Sequence, residues 1–180
     1  AGNPAFDAIE TQDWRTPARE LMDHLGIART ERMVLFLSSP LAGMGVVPRA
    51  RQDELTDMLF AGFRGYLSSA APTRLLVKPH GLEDPSSYEP FVRRHGLQSA
   101  VRIVADAPLY PLLPASDAVV IFSTSAGIEA GLFRRPVAVM NGGSSLDNWD
   151  FVGRGLAVGV SDPDGVAAFI GSAVDADTGE

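Results

Sequence analysis

The chain has 180 residues, enough for one domain with a substantial core and short for a complete two-domain enzyme. With 46% hydrophobic and 21% charged residues it has the composition of a globular protein, and no apolar run reaches the roughly 20 residues that span a bilayer. Its formal net charge of -7 argues against a protein that clusters Lys and Arg on nucleic-acid phosphates, and the lack of cysteine rules out disulfides and thiolate metal sites, which suits a reducing, cytoplasmic compartment.

The chain opens Ala1-Gly2-Asn3-Pro4 with no initiator Met and no charged-then-apolar leader, so it reads as a fragment of something longer. A first helix is expected over Thr16–Leu25, with Leu21 and Leu25 on one stripe and Gly26 ending it. Met33–Leu37 is a strand-length apolar run. Pro48 then opens a long helix to about Leu67, because a proline is tolerated in the first turn and Leu55, Leu59 and Phe63 follow at helical spacing. Arg74–Val77 is the second strand, Ser86–His95 a helix closed by Gly96, and Val101–Val104 the third strand. A short helix at Leu109–Ala115 precedes the fourth strand, Ala118–Phe122. Ser125–Phe133 is helical, Pro136–Met140 and Leu156–Val160 are the last strands, and Asp164–Val174 is the closing helix.

Strands that alternate with helices and read as unbroken Val, Ile and Leu belong to a parallel sheet covered on both faces. The fold class is therefore α/β, a doubly wound, mostly parallel six-stranded Rossmann-like sheet. Right-handed crossovers would order it 3-2-1-4-5-6, and residues 1–180 form a single domain. In such sheets ligands sit beyond the carboxyl ends of the strands, where the order reverses. The loops after Leu37, Val77, Val104, Phe122 and Met140 are therefore expected to hold the ligand contacts.

After the fourth strand comes Ser123-Thr124-Ser125-Ala126-Gly127, leading into a helix that carries Glu129 one turn in. Hydroxyls, small residues and the free N–H groups of a helix start suit a phosphate, and Glu129 is placed to meet a ribose diol. The competing reading is a plain helix cap. After the second strand, Lys78-Pro79-His80-Gly81 offers two donors on a stiffened turn, suited to a diphosphate or to charge building on a leaving nucleotide. Ser38 to Gly45, with Ser39 as its candidate contact, permits close backbone approach but is no dinucleotide fingerprint, and no P-loop motif is present. Asn141 and Gly142, after the fifth strand, are expected on the same cleft, and Asp106 to Leu109 where a nucleobase meets backbone. His24 and His95 read as surface or helix-end residues. Glu83, Asp84 and His80 match no metal-ligand spacing and read as a solvated loop, so no metal is expected.

The run from Ser123 to Val137 resembles the S-T-x-x-G-x-E-A-x-L-x-x-x-P-V segment of GT-B-type glycosyltransferases, especially those of capsular and surface polysaccharides. Lys78-Pro79-His80 is similar to their K-P-H-P element, with Gly81 where the second proline would stand, and Gly2 to Asp7 resembles the G-N-P-x-x-D that opens their C-terminal domain. The resemblance implies the donor-binding C-terminal half of a glycosyltransferase of polysaccharide or glycoconjugate biosynthesis. Ser123, Thr124, Ser125 and Gly127 would lie at the phosphates, Glu129 at the ribose, and Lys78 and His80 would be the catalytic pair. Its substrate would be a UDP-, CDP- or GDP-linked sugar, with no further cofactor. The partner would be an absent N-terminal domain holding the acceptor, through which the enzyme touches the membrane periphery, and the isolated domain is expected to be inactive. UDP-N-acetylglucosamine 2-epimerases share the fold but carry S-G-G and adjacent glutamates in place of Ser125-Ala126-Gly127 and one glutamate. That epimerase and a non-catalytic nucleotide-binding domain are the alternatives. A receiver-type regulator lacks its acidic pair, since the first strand ends in Ser38-Ser39.

Overall fold

A computed structural model describes residues 9, 11–67, 72–140 and 146–175. Six strands, β1 (Arg32–Leu37), β2 (Thr73–Lys78), β3 (Val101–Ile103), β4 (Ala118–Ile121), β5 (Val137–Met140) and β6 (Val158–Val160), form one sheet in the order β3-β2-β1-β4-β5-β6. All its pairings are parallel. This is the expected doubly wound order. Helices α1 (Arg15–His24), α2 (Arg49–Leu67), α3 (Glu89–Arg94), α4 (Leu109–Ala115), α5 (Ala126–Leu132) and α6 (Pro163–Asp175) cover it. No helix among the described residues is long and apolar enough to cross a membrane.

The strands read as unbroken apolar runs because alternate residues enter two different cores. Val34, Phe36, Leu75, Val77, Val120 and Phe122 pack with Leu55, Leu59 and Phe63 of α2 and Val166 and Ile170 of α6. Met33, Leu35, Leu37, Leu76, Val119 and Ile121 pack with Leu25 and with Leu112 and Leu113 of α4. The stripe expected on α2 is thus the buried one.

Gly26 and Gly96 end α1 and α3 as expected, at φ of +64° and +65°, where the left-handed conformation lets the following N–H turn back to an open carbonyl: Ile27 to Met22 at 3.0 Å and Leu97 to Val92 at 2.9 Å. The expected helix over Ser86–His95 is instead a 3-10 turn, Pro85–Tyr88, followed by the short α3. Pro90 lacks the N–H that an unbroken ladder would need, and Asp84 caps the 3-10 turn through the Ser86 N–H at 2.9 Å. The last strand begins at Val158 rather than Leu156, because Leu156 donates back to the Phe151 carbonyl at 2.8 Å in a turn that includes Gly155 at φ +68°.

Candidate functional site

After β1 the chain turns to one side of the sheet to build β2 and β3, and with β4 it starts the other side. The loops leaving β1 and β4 therefore part, and a cleft of about 400 Å³ opens at their carboxyl ends. Ser39, Met44 and Val46 of the first loop form one wall. His80 enters from the loop after β2, Ser123, Thr124 and Ser125 from the turn before α5, and Asn148 and Trp149 from the segment after β5. The described lining contains no lysine or arginine. A larger hollow of about 660 Å³, beside α2 and α3, carries four carboxylates, Asp53, Glu54, Asp57 and Asp162, against the one cation of its described lining, Arg94, which Asp57 already pairs, a balance that opposes a phosphate.

The hydroxyl turn is held from both sides. Ser39, buried, donates its hydroxyl to the Ser123 carbonyl at 2.8 Å and so ties the loop after β1 to the loop after β4. Thr124 accepts from the Ala126 N–H at 3.3 Å through its hydroxyl and from the Gly127 N–H at 3.2 Å through its carbonyl. Ser125, at the N-cap of α5, makes no side-chain cap bond, and it is exposed. Capping thus falls to Thr124, while Ser125 keeps a free-standing hydroxyl beside the cleft.

Other sequence candidates lie elsewhere. Gly127 faces the second core: a Cβ there would come within 2.8 Å of the Ile121 side chain and 2.9 Å of the Phe151 ring, so a larger residue would push both aside. Glu129 lies outside the cleft lining, with Oε2 buried and without a hydrogen-bond partner, and burial pushes its carboxyl above the usual range. Lys78 turns away from His80. Its ammonium donates to the Ala105 carbonyl at 2.9 Å, and burial lowers its pKa while Asp106 acts in the opposite sense. It thereby braces the segment after β3. Asn141 and Gly142 lie outside the described residues.

The expected solvated loop at Glu83 is a correction. Its carboxylate accepts from the Ser38 hydroxyl, from the Gln52 side-chain amide at 2.9 Å, from the Tyr88 hydroxyl at 3.0 Å and from the His80 N–H at 3.0 Å. Gln52 in turn accepts from the Ala42 N–H at 2.7 Å, so the loops after β1 and β2 and the first turn of α2 share one polar hub. Tyr88 is 2% exposed, and burial above all raises its phenol far beyond its ordinary value. Asp84 remains exposed and local to its 3-10 turn. Sequence reasoning missed Gln52 and Tyr88, although Gln52 precedes Leu55, Leu59 and Phe63 on the same apolar stripe. A polar residue at a core-facing position was the available signal. Among the described residues no group of three or more His, Cys, Asp or Glu stands ready to hold a metal ion.

A Rossmann-like parallel sheet with this order, and a cleft at its reversal point, is the fold shared by GT-B glycosyltransferases and UDP-N-acetylglucosamine 2-epimerases. In sequence, the chain is similar to the lipid-A-disaccharide synthase of Myxococcus xanthus, 30% identical over 153 residues that cover 85% of this chain and 36% of that protein. The lipid-A-disaccharide synthase of Albidiferax ferrireducens is 26% identical over 77% of this chain and 32% of its own length. The chain thus spans about a third of the curated relatives it matches. No family model matches it. Among solved structures, E. coli ADP-heptose lps heptosyltransferase II superposes with a TM-score of 0.69 at 13% identity, over 93% of this chain and 54% of that one. The C-terminal CMP-Kdo binding domain of WaaA from Acinetobacter baumannii superposes at 0.66 and 12% identity, over 91% of this chain and 90% of that one. A UDP-GlcNAc 2-epimerase from Neisseria meningitidis, bound to UDP-GlcNAc, superposes at 0.62 and 11% identity, over 91% of this chain and 41% of that one.

Proposed function

We propose that this chain is the donor-binding half of a GT-B glycosyltransferase and holds a nucleotide-sugar in the cleft between β1 and β4. One observation carries the reading: the hydroxyl turn Ser123–Ser125 and His80, far apart in sequence, line the same cleft at the reversal point of the sheet. Hydroxyls and an imidazole can meet a diphosphate without a fixed lysine or arginine. Glu129 lies outside the cleft lining, and its buried, unpartnered Oε2 would accept from a ribose diol once the side chain turns towards the cleft. The sequence likeness to two glycosyltransferases favours transfer over 2-epimerisation, and their names point to glycoconjugate synthesis rather than to capsule. The acceptor site and the rest of the catalytic machinery would come from another domain, so the isolated chain binds the donor and does not transfer it.

Calorimetric titration of the chain with UDP, CDP, GDP and ADP tests this directly. Binding of at least one is expected. Ser125→Ala, which removes a hydroxyl with no structural bond, should weaken it roughly tenfold, the scale of one hydrogen bond to a charged group. Glu129→Ala should weaken nucleosides and nucleotides alike. Absence of heat with all four in a folded sample removes the proposal. Release of free sugar from UDP-GlcNAc by the enzyme that contains this chain would instead favour the epimerase.

A further inference from the structure

We propose that Glu83 is a positioning residue of the cleft: it sets the turn that carries His80 and, through it, which ring nitrogen His80 offers to a ligand. The role of His80 as a ligand contact rests on the nucleotide-binding reading, whereas its placement by Glu83 does not.

An ionised carboxylate has about four acceptor positions, and Glu83 receives four donors: Ser38 and His80 at Oε2, Gln52 and Tyr88 at Oε1. With both oxygens engaged inside the protein, it is not poised to take a proton from substrate or to ligate a metal. What it can do is fix geometry. Its donors come from the loop after β1, the first turn of α2, the 3-10 helix and the loop after β2, so four segments meet at one group.

The consequences concentrate at His80. Its N–H donates to both the Ser38 hydroxyl, at 3.1 Å, and Glu83, at 3.0 Å, and its carbonyl accepts from the Glu83 N–H at 2.8 Å. The turn from His80 to Glu83 is therefore closed twice, once through backbone and once through the carboxylate. Within it, Nδ1 accepts from the Leu82 N–H at 3.2 Å. An accepting Nδ1 places the proton of the neutral ring on Nε2. Every other polar atom of His80 being engaged, Nε2–H is the donor left for the cleft that His80 lines. Pro79, buried just before it, limits the backbone on that side.

The test reads the His80 ring without any ligand. Long-range proton–nitrogen NMR spectra of the chain show the tautomer of each histidine, with His80 assigned from its loss in His80→Gln. The unaltered chain should show the Nε2–H form, and Glu83→Ala should show the mixture of a free imidazole. Glu83→Gln keeps one oxygen for Ser38 and His80 and can turn its amide towards the Tyr88 hydroxyl. That amide meets the Gln52 amide donor to donor, so it is combined with Gln52→Glu, whose carboxylate accepts from it and from the Ala42 N–H; this double variant should retain the Nε2–H form. Should the alanine variant not fold, Glu83→Asp, whose carboxylate is drawn back by one methylene, takes its place with the same expectation as alanine. An unchanged His80 spectrum in the folded Ala or Asp variant overturns the proposal, and so does a folded Glu83→Gln, Gln52→Glu double variant that behaves like Ala. In parallel, Glu83→Ala should weaken UDP binding about tenfold, as loss of a preorganised donor does, with the double variant close to the unaltered chain. If the unaltered chain binds no nucleotide, the functional reading fails, while the tautomer still decides the role of Glu83.

Discussion

Glu129 and Glu83 are two glutamates with opposite circumstances. Glu83 has a donor for every acceptor position, whereas Glu129 has a buried oxygen with none, and burial raises its carboxyl above the ordinary value of 4.5. A raised pKa in the folded state means the native protein holds that proton more tightly than the unfolded chain. The resulting stability is complete below the ordinary value and is lost as the pH rises through the raised one. Once ionised, a carboxylate with one buried, unpartnered oxygen therefore strains the free domain. Glu129→Gln should melt above the unaltered chain near pH 7 and show no advantage near pH 4, measured by thermal unfolding. A melting point lowered by the substitution near pH 7 would mean that the carboxylate has a stabilising partner, and the ribose assignment would lose its motive. If Glu129 contacts a ligand as proposed, such strain is what a binding site tolerates.

Two helices on one face show how close packing limits substitution. A Cβ at Gly62 of α2 would lie 2.5 Å from Val166 Cβ and 2.6 Å from the Pro163 carbonyl of α6, and the backbone atom cannot swing aside. Gly65, one turn later, would place its Cβ 3.9 Å from Ala167, an ordinary contact. The same Gly→Ala change should thus have opposite signs on one helix. Gly62→Ala is expected to cost about 1–3 kcal/mol through overpacking, and Gly65→Ala to gain about 0.5–1 kcal/mol through helix propensity. Urea midpoints at unchanged slope would measure both. Equal effects would show that the α2–α6 contact is looser than described. The break between the 3-10 turn and α3 belongs to this scale too: Pro90 interrupts the ladder, and the 3-10 turn is what brings the Tyr88 hydroxyl to Glu83.

The molecule as a whole is a scaffold that brings loops from four strands to one cleft, and only its native state has that cleft. A ligand bound there must stabilise the fold by mass action, by about 2.7 kcal/mol at a hundredfold excess over its dissociation constant. For a chain of this size, that corresponds to a rise of roughly 5–10 °C in melting temperature. The best-binding nucleotide should produce such a rise, and inorganic phosphate at the same concentration should not. Equal shifts with both would indicate a plain anion site without recognition of the nucleoside.

Much of this architecture was legible before any coordinates. Unbroken apolar runs separated by helical stripes dictate a sheet buried on both faces, and the handedness of crossovers leaves few orders for six strands, hence β3-β2-β1-β4-β5-β6. Ser123–Ser125 and His80 stood out because hydroxyls and an imidazole at strand ends carry their chemistry in their identities. The direction of each side chain was not legible. Lys78 turns to Ala105 because an ammonium at the end of a buried strand takes the nearest carbonyl, and Gly127 is a packing glycine because Phe151, twenty-four residues on, fills the space beside it. The Glu83 hub was hidden for the same reason. Its donors lie 45, 31, 5 and 3 residues away, and a hydrogen bond between distant segments exists only once the fold has brought them within 3 Å or so of one another.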